Sequence, residues 1–324
     1  MINCAIVGLG RWGRNLVEAA AGSTRLKVTR AVETDLGRAH EFCAEHQLDL
    51  TDSLDDVLAD PAIGAVLLAT PHSLHMAQVI ASAAARKQVF CEKPLALKHE
   101  HAARMFEARR AAGVVLAVGH NRRFWPSMTA LREVAGSGEL GALLHVEGHN
   151  SNENSEKVTE GWRLSPEESP GGGLTGAGLH VLDAFVSLLG PARQVYAHLN
   201  AREVGPPPRD TTMVALDFVN GVTGQLATVR ATPLYWRVHL FGTLGSAEVL
   251  DEATLVLRKS GRPAQIMHFE PVNVLAAELD AFADAVEGKR PFPVPESDVL
   301  ATLSAFEAAL ASMQQASAVN CDDR

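Results

Sequence analysis

The 324-residue sequence has only four cysteines, and Cys4, Cys43, Cys91 and Cys321 form no Cys-x-x-Cys pair. That scatter argues against a disulfide scaffold and points to a reducing, cytoplasmic setting. Basic runs are missing too. With 29 Lys and Arg against 38 Asp and Glu, the formal net charge is −9, which speaks against nucleic acid or an anionic membrane as partner. No window approaches the roughly 20 apolar residues that a membrane span needs. The N-terminus enters an apolar stretch at Ile2 with no basic leader, so no signal peptide is expected. The pairs His72 and His75, His99 and His101, and His145 and His149 lack a Cys or carboxylate at ligand spacing, and no metal is expected. Without a Gly-x-Ser-x-Gly elbow or a phosphate-loop lysine, hydrolytic nucleophile chemistry is not expected either.

What is present begins at the second residue. The apolar run Ile2–Val7 reads as a buried strand, Gly8-Leu9-Gly10-Arg11-Trp12-Gly13 as a tight turn, and Arg14–Ala21 as a helix. Gly8 permits the turn, Gly10 lets the backbone approach a pyrophosphate, and Gly13 lets helix and strand pack closely. The phosphates then sit at the helix N-terminus, where unpaired N–H groups point outward. Glu33, twenty residues past Gly13, ends the next apolar run, Leu26–Val32. A carboxylate there accepts from adenosine ribose hydroxyls and repels a 2′-phosphate, which favours NAD over NADP. A solvated glutamate at a strand end is the plain alternative, and Arg11 or Arg30 would serve the phosphate of NADP.

Hydrophobic residues at 47 % and charged residues at 21 % describe an ordinary globular chain, long enough for two domains. Up to Gly119 apolar strands alternate with helices: Ala65–Ala69, His75–Arg86, Val89–Cys91, Leu97–Ala112 and Val114–Gly119. That rhythm predicts an α/β domain with a doubly wound parallel sheet over residues 1–120. Beyond Asn121 strands follow strands, at Leu143–Gly148, Val195–Leu199, Met213–Phe218, Gly224–Ala231, Arg237–Phe241, Ala247–Leu250 and Leu255–Arg258. An α+β domain with a large open, mostly antiparallel sheet is expected over 121–324, closed by helices Val274–Glu287 and about 297–315.

Three constellations carry candidate chemistry. Cys91-Glu92-Lys93-Pro94 ends a parallel strand, where ligands of open α/β sheets bind. Lys93 there would polarise a substrate oxygen, with Pro94 holding it extended; a surface lysine at a helix start is the alternative. In Gly171–Asp183, His180 follows five glycines and is a candidate general base. A helix-surface histidine bonded to Asp183 is the alternative, and the glycines suggest backbone that approaches something closely. Asn121, Arg122 and Arg123 would line a cleft, and Trp162-Arg163 would add an aromatic wall and an anion clamp; packing and salt bridging are their alternatives.

Gly8–Gly13, Ala69–His75, Glu92-Lys93-Pro94, Asn121–Phe124, Gly171–Asp183 and Glu287–Ser312 together resemble the NAD(P)-dependent oxidoreductases typified by glucose–fructose oxidoreductase and inositol dehydrogenase (Gfo/Idh/MocA). The resemblance implies a Rossmann domain followed by a domain whose open sheet assembles dimers or tetramers. It implies cofactor contacts at Gly8, Gly10, Arg11, Trp12, Gly13, Glu33, Thr70, Pro71, His75, Glu92 and Lys93. Substrate would meet Asn121, Arg122, Trp162, Arg163, Thr175 and Asp183. Lys93 would polarise the reacting oxygen and His180 remove the hydroxyl proton. One departure stands out: many members carry an aspartate four residues before the histidine, and here that position is Gly176. The Thr-Gly-x-Gly-x-His variant is similar to a subset linked to phthalate-dihydrodiol-type dehydrogenases, and Asp183 could stand in as partner of His180. The expected function is hydride transfer between nicotinamide and a secondary alcohol or ketone of a sugar-like or cyclic diol substrate. The rivals are a non-catalytic dinucleotide sensor and a redox-neutral NAD-dependent lyase or hydrolase.

Overall fold

Short runs that are apolar on every residue become the inner strands of a parallel sheet, because helices cover both of their faces. The computed structural model describes residues 1–152, 161–203, 208–230 and 232–321. They pack as two units, Met1–Asn121 with Asn273–Glu296 and Arg122–Val272 with Ser297–Arg324.

The first unit alternates β1 (Ile2–Val7), α1 (Arg11–Ala20), β2 (Leu26–Val32), α2 (Leu36–Glu45), β3 (Asp49–Thr51), α3 (Leu54–Ala59), β4 (Ala65–Leu68), α4 (His72–Ala84), β5 (Gln88–Glu92), α5 (His99–Ala112) and β6 (Leu116–Gly119). All six strands are parallel, in the order β3-β2-β1-β4-β5-β6. Every residue of β4 is buried, as its unbroken apolar run requires. The order reverses between β1 and β4, and such a switch point is where an open sheet leaves a crevice for ligand. Helix α1 begins at Arg11 rather than Arg14, so the glycine turn already supplies its first residues. The three-residue edge strand β3, largely uncovered, has no apolar run to announce it.

Residues 273–296, expected in the second domain, belong to the first unit instead. Leu279, Phe282 and Ala283 of α8 (residues 274–286) are buried in one core with Ile6, Leu16, Leu26 and Phe90, so that helix closes the parallel sheet. Its amphipathic pattern says that one face is buried but not against which sheet.

The second unit holds α6 (Pro126–Gly136), β7 (Leu143–Asn152), α7 (Leu179–Leu189), β8 (Ala192–Glu203), β9 (Arg209–Phe218), β10 (Thr223–Arg230), β11 (Tyr235–Gly242), β12 (Gly245–Asp251), β13 (Thr254–Lys259), β14 (Gln265–His268), α9 (Glu296–Gln315) and β15 (Val319–Asn320), α9 starting at the unit boundary. The strands form one nine-stranded sheet, β14-β13-β12-β11-β7-β10-β9-β8-β15, antiparallel except for the β7–β10 pair. Alternation along β9 buries Asp210, Thr212, Val214, Leu216 and Phe218 and leaves Thr211, Met213 and Ala215 exposed. Helix α7 lies on the buried face: a Cβ on Gly148 of β7 would come 2.2 Å from Val181 and 2.7 Å from the Phe185 ring. The strands expected in this unit fall inside longer observed ones, Ala231 alone lying outside the described residues.

Candidate active site

The glycine turn is built as its spacing implies. Gly8 has φ +91°, a conformation that disfavours side chains. A Cβ on Gly13 would lie 1.8 Å from the Gly8 carbonyl oxygen, whereas one on Gly10 would meet nothing within 4 Å. Gly13 therefore serves the close crossing of helix and turn, and Gly10 leaves its approach open. No side chain caps the N-terminus of α1, so its N–H groups stay available for an anion. Glu33 accepts from the Leu9 N–H of the turn at 2.8 Å and from the Thr34 N–H at 2.9 Å, which fixes its carboxylate beside the phosphate cradle. Arg11 is exposed and Trp12 half-buried. These residues fit a dinucleotide: open backbone where a pyrophosphate would lie, an uncapped helix terminus behind it and a held carboxylate that a ribose would meet.

Two loops beyond β4 and β5 are tied together by a buried histidine. His75 has Nδ1 3.0 Å from the Pro94 carbonyl and Nε2 3.1 Å from the Thr70 carbonyl. Thr70 in turn donates to Gln78 Oε1 at 2.6 Å, and Pro71 opens α4. Of the expected cofactor contacts, His75 thus acts as a brace for the Thr70 and Pro94 segments. Lys93 follows β5 directly, half-buried, and its peptide bond to Pro94 is cis. Asn121 is half-buried in a 3-10 turn just past β6.

In the second unit His180 is buried near the start of α7, a helix whose residues from Leu179 to Val186 are all buried. The surface-histidine alternative therefore fails. Asp183, one turn on, accepts from Arg123 at 2.9 and 2.7 Å, and Arg123 also donates to Asp298 at 2.7 Å. These bonds hold Asp183 in an ion pair, so Arg123 takes the structural of its two expected roles. Arg122 differs. Its guanidinium sits 4.8 Å from the Trp125 ring centroid and 4.1 Å from that of Trp236, and burial lowers it to about 9. Arg163 is exposed and lies 4.1 Å from the Trp162 ring centroid.

The glycine run approaches protein rather than open space. Gly172 and Gly173 press on Asp210, whose Oδ1 accepts from the Gly173 N–H at 3.0 Å and whose other oxygen pairs with Arg230. Thr175 donates to the Pro170 carbonyl, and Asn150 of β7 donates to the Ala177 carbonyl at 2.7 Å. Leu174–Gly178 forms a single π turn leading into α7, and a Cβ on Gly176 would meet nothing within 4 Å. Asp210 and Asn150, which support this turn, had no signal in the sequence because each is one buried polar residue in an alternating strand. Among the described residues, no group of three or more His, Cys, Asp and Glu could hold a metal ion. No helix there is long and apolar enough to cross a membrane.

A six-stranded parallel sheet with a dinucleotide turn, joined to a nine-stranded sheet domain, defines a two-domain nucleotide-dependent oxidoreductase. Residues 2–120 match the NAD-binding Rossmann-fold domain of the Gfo/Idh/MocA oxidoreductase family, and residues 128–248 match that family's C-terminal domain. The chain belongs to this family. It is 28 % identical to scyllo-inositol 2-dehydrogenase (NAD(+)) of Bacillus subtilis strain 168, the match covering 99 % of this chain and 96 % of the other. It is 29 % identical to 2,7-anhydro-N-acetylneuraminate hydratase of Escherichia coli K12 over 83 % of this chain and 72 % of that one. Levoglucosan dehydrogenase, solved in complex with NADH and levoglucosan, shares the fold with a TM-score of 0.89 at 22 % identity, covering 99 % and 100 % of the two chains.

Proposed function

We propose that the chain oxidises a secondary alcohol of a sugar-like or cyclic polyol, or reduces the matching ketone, using NAD. When bound, NAD supplies the hydride acceptor. The observation that carries this reading is the glycine turn with Glu33 fixed beside it, at the switch point of a sheet whose next strand but one leads directly into Lys93. Lys93 donates to the reacting oxygen and stabilises the charge that develops there, and His180 takes the hydroxyl proton. Arg122, a half-buried cation between aromatic rings, and Arg163 contribute to substrate recognition. The open face of the nine-stranded sheet pairs with a second copy of the chain, as a dimer or a tetramer. The protein works in a reducing, cytoplasmic compartment. In support, Cys4, Cys43 and Cys91 are buried thiols, and burial pushes Cys4 up to about 12.

The test is a fluorescence titration with NADH and NADPH, followed by NADH production across inositols, sugars and cyclic diols. Tight NADH binding with NADH release from one of these classes is expected. Failure to bind NADH would overturn the reading. The resemblance to a hydratase favours one second reading, a redox-neutral reaction in which NADH never leaves. Substrate consumption without net NADH would select it.

A further inference from the structure

Glu278 of α8 is completely buried at 0 % exposure, and neither carboxyl oxygen has a hydrogen-bond partner. An isolated carboxylate is not sustained in such a place, because its charge loses water and gains nothing. Periodicity shows what it faces. Phe90 and Glu92 lie two apart on β5 and so share one face of the parallel sheet. Glu278 and Phe282 lie four apart on α8 and share one face of the helix. The rings of Phe90 and Phe282 meet edge to face with centroids 5.9 Å apart, which sets helix against strand. One turn back from that contact, Glu278 lies on the helix face turned toward the end of β5 that carries Glu92, whose charge acts on it.

The third wall is bare. Gly119 of β6 is the register partner of Glu92, and a Cβ there would lie 3.1 Å from the Phe90 ring and 3.4 Å from the Glu92 carboxyl carbon. The Glu92 carboxyl therefore lies against a glycine, itself buried, at the end of the strand that delivers Lys93. A buried carboxyl that feels the charge of a second one is costly to ionise. Burial first, and the Glu92 charge second, raise Glu278 well above the usual carboxyl range.

We propose that Glu278 keeps its proton and donates it to Glu92, so that the two carboxyls carry one negative charge and hold Glu92 in place behind Lys93. No covalent bond changes; the proton stays between two oxygens. Glu278 is thus a positioning residue, acting through Glu92 on the Lys93 segment. The activity arm of the test rests on the dehydrogenase reading, and the spectroscopic arm does not.

Infrared difference spectra between the wild-type chain and Glu278→Gln, recorded at neutral pH in H2O and D2O, read the proton directly. The C=O stretch of a protonated carboxylic acid is expected in the wild type, shifted in D2O and lost in the variant. Turnover of the full chain adds a second readout. The Gln side chain is neutral and still donates, so kcat within about twofold of wild type is expected, whereas Glu278→Leu should lower kcat about tenfold or more through a misplaced Lys93 segment. Glu278→Leu should melt no lower than wild type, since an apolar group of similar volume suits a dry site. Absence of the protonated-carboxyl band overturns the proposal, as does a wild-type kcat in Glu278→Leu. If Glu278→Leu fails to fold, the Gln spectra alone decide. A band present in a chain that turns over no polyol would sink the dehydrogenase reading and leave the shared proton standing.

Discussion

Lys93 is required to act on charge that develops only during the reaction, so its loss falls on turnover rather than on cofactor affinity. Lys93→Ala is expected to lower kcat by about 10²–10⁴-fold while NADH binding stays near wild type; a fully active variant would remove Lys93 from the mechanism. Glu33 is expected to act on cofactor choice. Its carboxylate is already oriented by the Leu9 and Thr34 N–H groups, so Glu33→Ala should narrow the preference for NADH over NADPH. Paired fluorescence titrations check this, and an unchanged ratio counts against the ribose role. Gly176 makes the complementary case. It is exposed and a Cβ there meets no neighbour within 4 Å, so Gly176→Asp is expected to fold with a melting temperature at or above wild type. Kinetics across the polyol panel should then show altered KM or kcat; identical constants for every substrate would mean that this position does not face substrate. At this scale the local geometry legible in advance was that of the turn: the left-handed Gly8, the close crossing at Gly13 and the place of Glu33 beside them. Glu278, Asp210 and the partner of Arg123 were not, because a charged residue in an amphipathic segment reads as solvated until its burial is seen.

Helix α8 belongs to the parallel sheet through two kinds of contact, an apolar face and a charged clasp. Arg25, just before β2, reaches Asp284 at 2.5 Å and Glu287 at 2.8 Å. Arg290 reaches Asp284 at 2.6 Å, and Lys289 reaches Glu287 at 2.7 Å. Hydrogen bonds from Arg290 and then Arg25 lower Asp284, and those from Lys289 and then Arg25 lower Glu287. A carboxyl lowered by folding stabilises the fold above its unfolded value, about 4, and that stability is lost as pH falls through the folded value. Melting temperature should therefore fall with acid, and the Asp284→Asn, Glu287→Gln double variant should show a shallower fall below about pH 4.5. Equal acid slopes in the two proteins would show that the clasp contributes nothing. The apolar face contributes more to stability than the clasp: Phe282→Ala should cost about 3–5 kcal/mol in denaturant unfolding. Both the helix and its apolar period were readable from Val274 onward. Its attachment was not, since Leu279 and Phe282 look the same whichever sheet they cover, and only the pairing with Phe90 and Arg25 decides.

The outer face of the nine-stranded sheet carries exposed apolar residues. Tyr196, Met213, Ala215, Ala227, Tyr235 and Ile266 alternate onto it, and Met213, Tyr235 and Ile266 are 53 %, 49 % and 58 % exposed. Among them runs a set of ion pairs: Arg237 with Glu147, Arg237 with Glu248 at 3.1 Å, and Arg258 with Glu248 at 2.7 Å. Shallow depressions of about 240 and 310 Å³ mark the same surface. Exposed apolar residues on a broad sheet face favour a partner, and a second copy supplies the same residues across a two-fold axis. Sedimentation at micromolar concentration should therefore find a dimer or a tetramer. Met213 and Tyr235 both line the 240 Å³ depression, so Met213→Glu with Tyr235→Glu would place carboxylates at the centre of a buried contact. Like charges brought together there cost several kcal/mol, and the double variant is expected to sediment as a single chain with unchanged circular dichroism. A wild-type protein that stays monomeric across concentration would refute the pairing. An assembly that survives both substitutions would move the contact to another face of the molecule.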